Sequence, residues 1–441
     1  MEGEMRQREL FVDERSLFEK LCDVRFLRAG FKAVKKNGGS PGVDGVTVEE
    51  FGSSLKEEIE QLAEELAGWR YKPSPVRRVE IPKPGKGAGV RLLGVPCVKD
   101  RVVHATIKQL LEPILDPGFS DHSFGFRPGR NQRQAVESGQ RIVKSGKEYV
   151  VDIDLSKFFD RVNHDRLIYL LSGHVDDKRV LRLIGMILRS GIMKDGDVML
   201  SEKGTPQGSP LSPLLSNVVL DELDKELERR GLEFCRFADD CNIYVRSPKA
   251  AERVMSSISK FIEKKLKLKI NRDKSKVAHS SEVKFLGMTI IEGTLAISAK
   301  SMKTAMQKVK ELTPRGTYLP LEKTIKRINR WYVGWAGYYR MTEYPSQLRK
   351  IEAHIRRRLR ARLVDQQKRR RHLFRKLKKR GVSRKSAANA AFSNNGRWAL
   401  SHTFALEKAY PVAWFIQEKG QEIRSNQKHS HWLPLHRWIR V

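Results

Sequence analysis

The chain has 441 residues, long enough for several domains with cores of their own, and its 39% hydrophobic content argues against wholesale disorder. Lys and Arg total 86 against 52 Asp and Glu, a formal net charge of +34 with a pI near 10.1. A compact body with that excess repels itself unless polyanions neutralise it, which argues against an unpartnered basic surface and points to nucleic acid.

The polar start, MEGEMRQREL, carries acids and is unlike a signal or transit peptide, and no apolar run reaches the roughly 18 residues of a membrane span. Cys22, Cys97, Cys235 and Cys241 form no CxxC pair and have no histidine at zinc spacing, and so few cysteines fit a reducing cytosol. After a Gly/Pro-rich loop at residues 38–42, a strand is expected over Arg78–Ile81. A Pro/Lys/Gly turn follows at 82–87, and Val90 to Val95 read as the returning strand. Val150, Val151 and Ile153 mark another strand over Tyr149–Leu155, and Lys178–Leu188 reads as an apolar helix. Leu211, Leu214, Leu215, Val218 and Val219 begin a helical pattern that runs to Leu227 and stops at Gly231. Two strand-like runs, Glu233–Phe237 and Asn242–Arg246, flank Ala238-Asp239-Asp240-Cys241, a hairpin with two acids at its tip. A helix with Val254, Ile258, Phe261 and Ile262 on one face comes next. Beyond about Lys300, Leu348, Ile351, Ile355, Leu359 and Leu363 mark one long helix. Eighteen Lys or Arg stand against Glu352 and Asp365 between Arg349 and Lys385, a backbone-binding density on a folded stripe. The aromatic-rich tail from Phe392 reads as a separate small helical module.

Two-metal phosphoryl transfer needs carboxylates converging on cations roughly 3.5–4 Å apart. One cation activates the attacking hydroxyl and the other neutralises charge on the triphosphate; Mg²⁺ suits both, taking hard oxygen ligands while keeping open positions. Asp154 ends one expected strand and Asp239 and Asp240 occupy a hairpin tip, so one sheet can gather all three. Their mutual repulsion makes a cation their natural partner. Taken singly, an Asp-Asp turn is most often only a turn, and Asp152, Asp154 and Asp160 could form a polar strand face or a helix cap. Order and context lift the reading: VDIDLSKFFD (151–160) precedes GTPQGSPLSP (204–213), which precedes FADD (237–240).

With these runs the sequence resembles the reverse transcriptase/maturase proteins encoded by bacterial group II introns, almost end to end. Further matching blocks are IPKP (81–84), RLLGVP (91–96), SFGFRPGR (123–130), KLKINRDKS (267–275), FLG (285–287) and WYVGWAGYY (331–339). The resemblance implies an α+β right-hand polymerase. Its N-terminal extension and fingers would take residues 1–145, its antiparallel-sheet palm 146–295, its basic helical thumb/maturase region 296–385 and a C-terminal nucleic-acid-binding module 386–441. It implies Asp154, Asp239 and Asp240 as catalytic metal ligands, with the Leu155 carbonyl completing one shell of two Mg²⁺ ions that Mn²⁺ can replace. Asp152 is then structural. Phe159 lies under the sugar, where a ribose 2′-hydroxyl would clash; Gln207 and Gly208 touch the incoming nucleotide. Lys83 and Arg91 grip the triphosphate, Lys274 lies near pyrophosphate, and Phe285, Leu286 and Gly287 steady the primer end. Read without the resemblance, Lys83 and Arg91 are two surface cations among 86, Lys274 is helix-end charge, and Phe285 and Leu286 are core.

In the basic region, Arg356, Arg357, Arg358, Arg360 and Trp335 are the candidate RNA contacts. The implied partners are the parent group II intron RNA, an RNA template with a DNA primer, deoxynucleoside triphosphates and target DNA, with no membrane, in a bacterial cytoplasm beside the nucleoid. The rivals are a domesticated relative serving DNA repair or defence, a non-catalytic RNA-binding splicing factor, which the intact aspartate trio opposes, and an RNA-directed RNA polymerase, which Phe159 opposes. The sequence departs from the family at Phe237, where tyrosine is usual, and at Ser209, where glycine is common. No cysteine follows Cys241, so the cysteine-paired endonuclease of fuller members is not expected and DNA-strand cleavage with it.

Overall fold

The structure, a computed structural model, describes residues 14–82, 89–194, 197–199, 203–206, 208–314, 316–367 and 369–415. It is an α+β fold in two compact units. One runs to Ile142 and resumes over Gly146–Ala278, and the other takes Val143–Ser145 and the chain from His279 onward. The strands are β1 (Val76–Pro82), β2 (Val90–Val95), β3 (Tyr149–Ile153), β4 (Ile192–Lys194), β5 (Asp197–Met199), β6 (Glu233–Phe237), β7 (Asp240–Val245), β8 (Lys276–His279), β9 (Met288–Ile291) and β10 (Thr294–Ile297).

In the first unit, β6, β7, β3 and β8 form a sheet in that order. Antiparallel pairing sets Val151 against Ile243, Ile153 against Cys241 and Phe234 against Ile243. A strand sends alternate side chains to opposite faces, so these apolar residues share one face. They are buried in a single core with Leu220, Leu223 and Leu227 of the helix Ser212–Arg229 and with Ile258 and Ile262 of the helix Pro248–Lys264. Ser247 caps the second helix by accepting from the Ala250 N–H, and Gly231, at φ 65°, ends the first with a left-handed residue. The other face of the sheet carries Asp152 and Asn242, which stand opposite each other. A second sheet, ordered β2-β1-β4-β5, contains the expected hairpin, with Ile81 opposite Arg91 across β1 and β2.

The second unit is helical apart from the β9–β10 hairpin, whose two-residue turn, Glu292-Gly293, has positive φ at both positions, as tight hairpins of this twist require. The long basic helix spans Pro345–Asp365 and buries Leu348, Ile351, Ile355, Leu359 and Leu363. Ile325, Ile328 and Tyr332 of the helix Leu321–Tyr339 pack in the same core. So do Leu400, Leu406, Tyr410 and Phe415, so the described part of the tail shares this core rather than building one of its own. No helix among the described residues is long and apolar enough to cross a membrane.

Candidate active site

The register of the palm sheet gathers the acids. Asp152 pairs with Asn242 and Ile153 with Cys241, where the ladder ends; Asp154 follows next in the chain and Asp240 opens β7, and both carboxylates act electrostatically on Asp152. Phe237 pairs with Asp240 across the hairpin, leaving Ala238 and Asp239 as its two-residue turn, with Ala238 at φ 57°. A positive φ at the first turn position is the pattern that matches strand twist, and it costs alanine more than glycine. Asp239 is half-buried and Asp240 exposed. Burial pushes the Asp152 carboxyl up to about 6, and the neighbouring Asp240 and Asp154 add to it while Lys276 opposes them. Like charge is therefore concentrated here.

The backbone of Asp154 is clamped from the KLKINRDKS block. Its N–H donates to Ser275 Oγ at 2.9 Å, and its carbonyl accepts from the Asn271 N–H at 2.9 Å. Leu155 bridges Ile270 through hydrogen bonds made by flanking residues, Ser156 N–H to the Lys269 carbonyl and Asn271 N–H to the Asp154 carbonyl, so that bridge does not use the Leu155 carbonyl. Lys274 Nζ stands 3.8 Å from Asp154 Oδ2 and is exposed. The donor set suits a hard divalent cation: carboxylates, a backbone carbonyl, and like charge that calls for neutralisation. Among the described residues no three Asp, Glu, His or Cys side chains form a group that could hold a metal ion by themselves. Ser275 and Asn271 were not singled out by their residue types. Their place in a block that matches the family was the available signal.

Phe159 lies in a one-turn 3-10 helix, edge-on to Phe158, and on the wall of a pocket of about 200 Å³ shared with Arg78, Leu93, Gly94, Thr205 and Pro206. The Thr205 N–H donates to the Phe159 carbonyl at 2.7 Å. Gly204 has φ +97°, and a Cβ there would meet the Phe159 carbonyl at 2.9 Å, so the two segments meet backbone to backbone. Gly208 is exposed and makes the same kind of approach to the Gly94 carbonyl. Ser209 is buried, its hydroxyl 3.0 Å from His104 Nδ1 and accepting from the Leu211 N–H, so the residue that replaces glycine here ties the loop to a neighbouring helix. Burial pushes the His104 imidazole down to about 3, so it is neutral. Lys83 and Gln207 lie outside the described residues, and Arg91 is placed only by its backbone in β2.

In the second unit, Leu286 (φ 50°) and Gly287 (φ 88°) form a tight turn between Phe285 and Met288, which exchange both backbone hydrogen bonds at 2.9 Å. Phe285 is buried. The Tyr338 hydroxyl donates to the Leu286 carbonyl at 2.6 Å, joining the FLG turn to the WYVGWAGYY helix, and Ser301 Oγ donates to that of Gly287 at 2.9 Å, joining it to the helix Ala299–Leu312. Trp335 is part of an aromatic run on that helix, with ring centroids 5.8 Å from Trp331 and 4.7 Å from Tyr339.

Each of the four arginines named as candidate RNA contacts has an intramolecular partner. Arg360 is buried and donates to the Tyr410 carbonyl and to Glu407. Arg358 donates to the hydroxyl and carbonyl of Thr313. Arg357 stacks 4.1 Å above Trp398, and Arg356 lies 3.9 Å from Glu352. Spacing shows that a helix is basic but not which basic residues a later segment will cover. Exposed charge lies further on, at Arg370, Arg371, Arg375, Lys378, Lys379, Arg384 and Lys385, and the sequence has no acid between Asp365 and Glu407.

Comparison with known proteins agrees with this geometry. Residues 81–290 match the model of the reverse transcriptase (RNA-dependent DNA polymerase) family, and residues 302–381 match the group II intron maturase-specific domain. Protein YkfC of Escherichia coli K12 is 31% identical over 58% of this chain and 77% of its own length. The group II intron-encoded protein LtrA of Lactococcus lactis subsp. cremoris is 27% identical over 62% of this chain and 56% of its own. The catalytic runs and the strand pairing that joins them fall within residues 81–290, and the aromatic helix and its basic neighbour fall within 302–381. The chain therefore belongs to the reverse transcriptases of the group II intron-encoded family, divalent-metal-dependent right-hand polymerases that carry a maturase-specific domain.

Proposed function

We propose that this chain is an RNA-directed DNA polymerase that extends a DNA primer with deoxynucleoside triphosphates and that it binds its parent group II intron RNA, assisting splicing and supporting mobility at target DNA. The observation that carries the polymerase reading is the β3–β7 register, which ends at Ile153 and Cys241 so that Asp154 and Asp240 adjoin one end of the ladder, beside a turn holding Asp239. Two Mg²⁺ ions, held by those carboxylates and the Leu155 carbonyl, would supply charge neutralisation for the primer hydroxyl and the leaving pyrophosphate. Mn²⁺ has the same hard-ligand preference and would serve in their place.

Around them the protein positions and selects. Ser275 and Asn271 hold the Asp154 backbone in place, and Lys274 offers an ammonium group beside the carboxylate for a phosphate oxygen or a departing proton. Phe159, braced through its carbonyl by Thr205, presents a ring where a 2′-hydroxyl would need space. Gln207 and Gly208 meet the incoming nucleotide, Lys83 and Arg91 its triphosphate, and the Phe285–Gly287 turn the primer end. Residues 1–145 serve as fingers, 146–295 as palm, 296–385 as thumb and maturase region, and 386–441 as a further nucleic-acid-binding module. The setting is the cytoplasm of a bacterium, beside the nucleoid.

Primer extension on an RNA template tests the reading. Asp154→Asn and Asp239→Asn should abolish extension while leaving RNA affinity nearly unchanged, because a lost metal ligand attacks the transition state and affinity resides in distant cations. Asp152→Asn should keep substantial activity; the reverse pattern at positions 152 and 154 would overturn the assignment. In a splicing time course the Asp239→Asn/Asp240→Asn protein should still promote splicing, since the RNA supplies that chemistry and the protein only favours its active conformation.

A further inference from the structure

Arg236 stands on the apolar face of the palm sheet, opposite Cys241, with its side chain 0% exposed. A guanidinium there is tolerable only if all five N–H groups find acceptors. They do. Nε and Nη2 donate to the two oxygens of Asp224 at 2.7 and 2.5 Å, Nη2 also to Ser123 Oγ at 2.7 Å, and Nη1 to Asn217 Oδ1 at 3.1 Å and the Ala238 carbonyl at 3.0 Å. Burial opposes charge on Arg236, but the Asp224 carboxylate outweighs it and holds its pKa above the ordinary arginine value. Both Asp224 oxygens accept from the fork, the bidentate geometry of a guanidinium–carboxylate pair, and Arg236 opposes the upward push of burial on Asp224.

The second layer of this arrangement is the SFGFRPGR block. Arg236 N–H donates to the His122 carbonyl and Phe124 N–H to the Arg236 carbonyl, both at 2.9 Å, which lays residues 122–124 alongside β6. Asn217 Nδ2 then holds the Gly125 carbonyl at 2.9 Å. A Cβ on Gly125 would collide with the backbone nitrogen of Ala238 and would meet the Phe237 carbonyl carbon at 3.0 Å. Ala238 is the left-handed residue of the turn that carries Asp239 and Asp240. The turn is therefore gripped on one side by the guanidinium and on the other by a glycine that lets backbone touch backbone.

We propose that Arg236 and Gly125 are positioning residues for the reaction. Through the Ala238 carbonyl and nitrogen they hold the catalytic turn in the conformation that points Asp239 and Asp240 at their cations. The inference rests on the polymerase reading, since it gives those acids a metal to hold. The guanidinium supplies the carbonyl contact that fixes the strained φ, and Ser123, Asn217 and Asp224 fix the guanidinium. No chemistry passes through any of them.

The experiment compares Gly125→Ala, Arg236→Lys and Ser123→Ala with the unmodified protein. Arg236→Lys keeps the charge but loses the fork, and Ser123→Ala removes one contact of the guanidinium and is the mildest change. Steady-state primer extension gives kcat and the KM for primer–template, and electron paramagnetic resonance of Mn²⁺ titrated into the nucleic-acid-free protein gives metal affinity without turnover. Gly125→Ala should lower kcat about tenfold to a hundredfold, raise the Mn²⁺ dissociation constant and leave the primer–template KM within about twofold. Ser123→Ala should change the same two quantities in the same direction by less. Leu223→Ala, a core change on the helix Ser212–Arg229, controls for lost stability and should leave both quantities unchanged in its folded fraction. Folded Gly125→Ala or Arg236→Lys with unmodified kcat and Mn²⁺ affinity would overturn the proposal. If both fail to fold, an unaltered Ser123→Ala would do so. An unmodified protein that extends no primer would instead defeat the polymerase reading itself, and an Asp239→Asn arm without activity keeps the two failures apart.

Discussion

Arginines that brace a helical core and arginines that meet a phosphate backbone respond to opposite measurements. Arg360→Gln removes the donors to the Tyr410 carbonyl and Glu407 and the cation 5.7 Å from the Phe415 ring. A buried carbonyl left without its donor and a partly exposed ion pair lost together cost about 2–4 kcal/mol, read as a lower melting temperature of the second unit. Arg370, Arg371 and Arg375 are exposed on the helix Arg370–Lys379, so replacing them with Gln should leave stability near the unmodified value. If each meets one phosphate, their loss reduces the salt slope of RNA binding by about 2.1–2.7, at roughly 0.7–0.9 per contact. Between about 50 and about 200 mM salt the unmodified protein should then lose about 20–40-fold more affinity than the triple variant. Filter binding to intron RNA across a salt series, with thermal denaturation of each variant, gives both quantities. A triple variant with unchanged slope, or an Arg360→Gln protein with flattened slope and unchanged melting, would refute the division.

Phe159→Val should admit ribonucleotides in primer extension with each nucleotide set, and unchanged discrimination would move the sugar gate elsewhere. Burial pushes the Glu352 carboxyl up to about 7, with the Tyr332 hydroxyl and Arg356 opposing it, against 4.5 when unperturbed. The unfolded chain thus releases that proton first, and the stability it contributes is full below about pH 4.5 and lost as pH rises through about 7, up to about 3 kcal/mol. Glu352→Gln should accordingly gain on the unmodified protein in melting temperature between about pH 5 and about pH 8, and parallel curves would refute the shift. Gly287→Ala should cost about 1–2 kcal/mol, since φ is +88° and the new Cβ would collide with the Tyr339 hydroxyl. On the proposal that this turn steadies the primer end, the KM for primer should rise with it in extension assays.

Much of the palm was legible because its signals are local. Glu233–Phe237 and Lys178–Leu188 form where alternation and helical spacing place them, and the Asp-Asp turn is written in consecutive residues. β3 ends at Ile153 rather than Leu155, since Asp154 and Leu155 leave the β7 ladder for the segment around Ile270 and Asn271. That partner is more than 100 residues away in the chain, and no local pattern announces it. The long basic helix shows the same boundary from the other side. Its apolar stripe was legible, but the fate of its arginines depended on Thr313, Trp398 and Tyr410, which reach it from both directions in sequence.

Arg236 sharpens the point, because the strand pattern did contain a signal. Phe234 and Arg236 are two apart in β6, so an arginine at a position of core parity had to find acceptors or not be there. Asn217 and Asp224, seven apart on the apolar helix Ser212–Arg229, are the matching anomaly, since that spacing returns them to one face. Each looks like an exception to its own element's periodicity, and together they satisfy one another. The buried charge of Arg236 lies on one face of the sheet, while Asp152 lies on the other, beside the carboxylates proposed to hold metal. The same two-residue period that keeps Val151 and Ile153 in the core puts Asp152 on the other face, and Asp154 follows directly after the strand. A one-residue slip of β3 would exchange the two faces, so the apolar residues fix the register on which the proposed site depends.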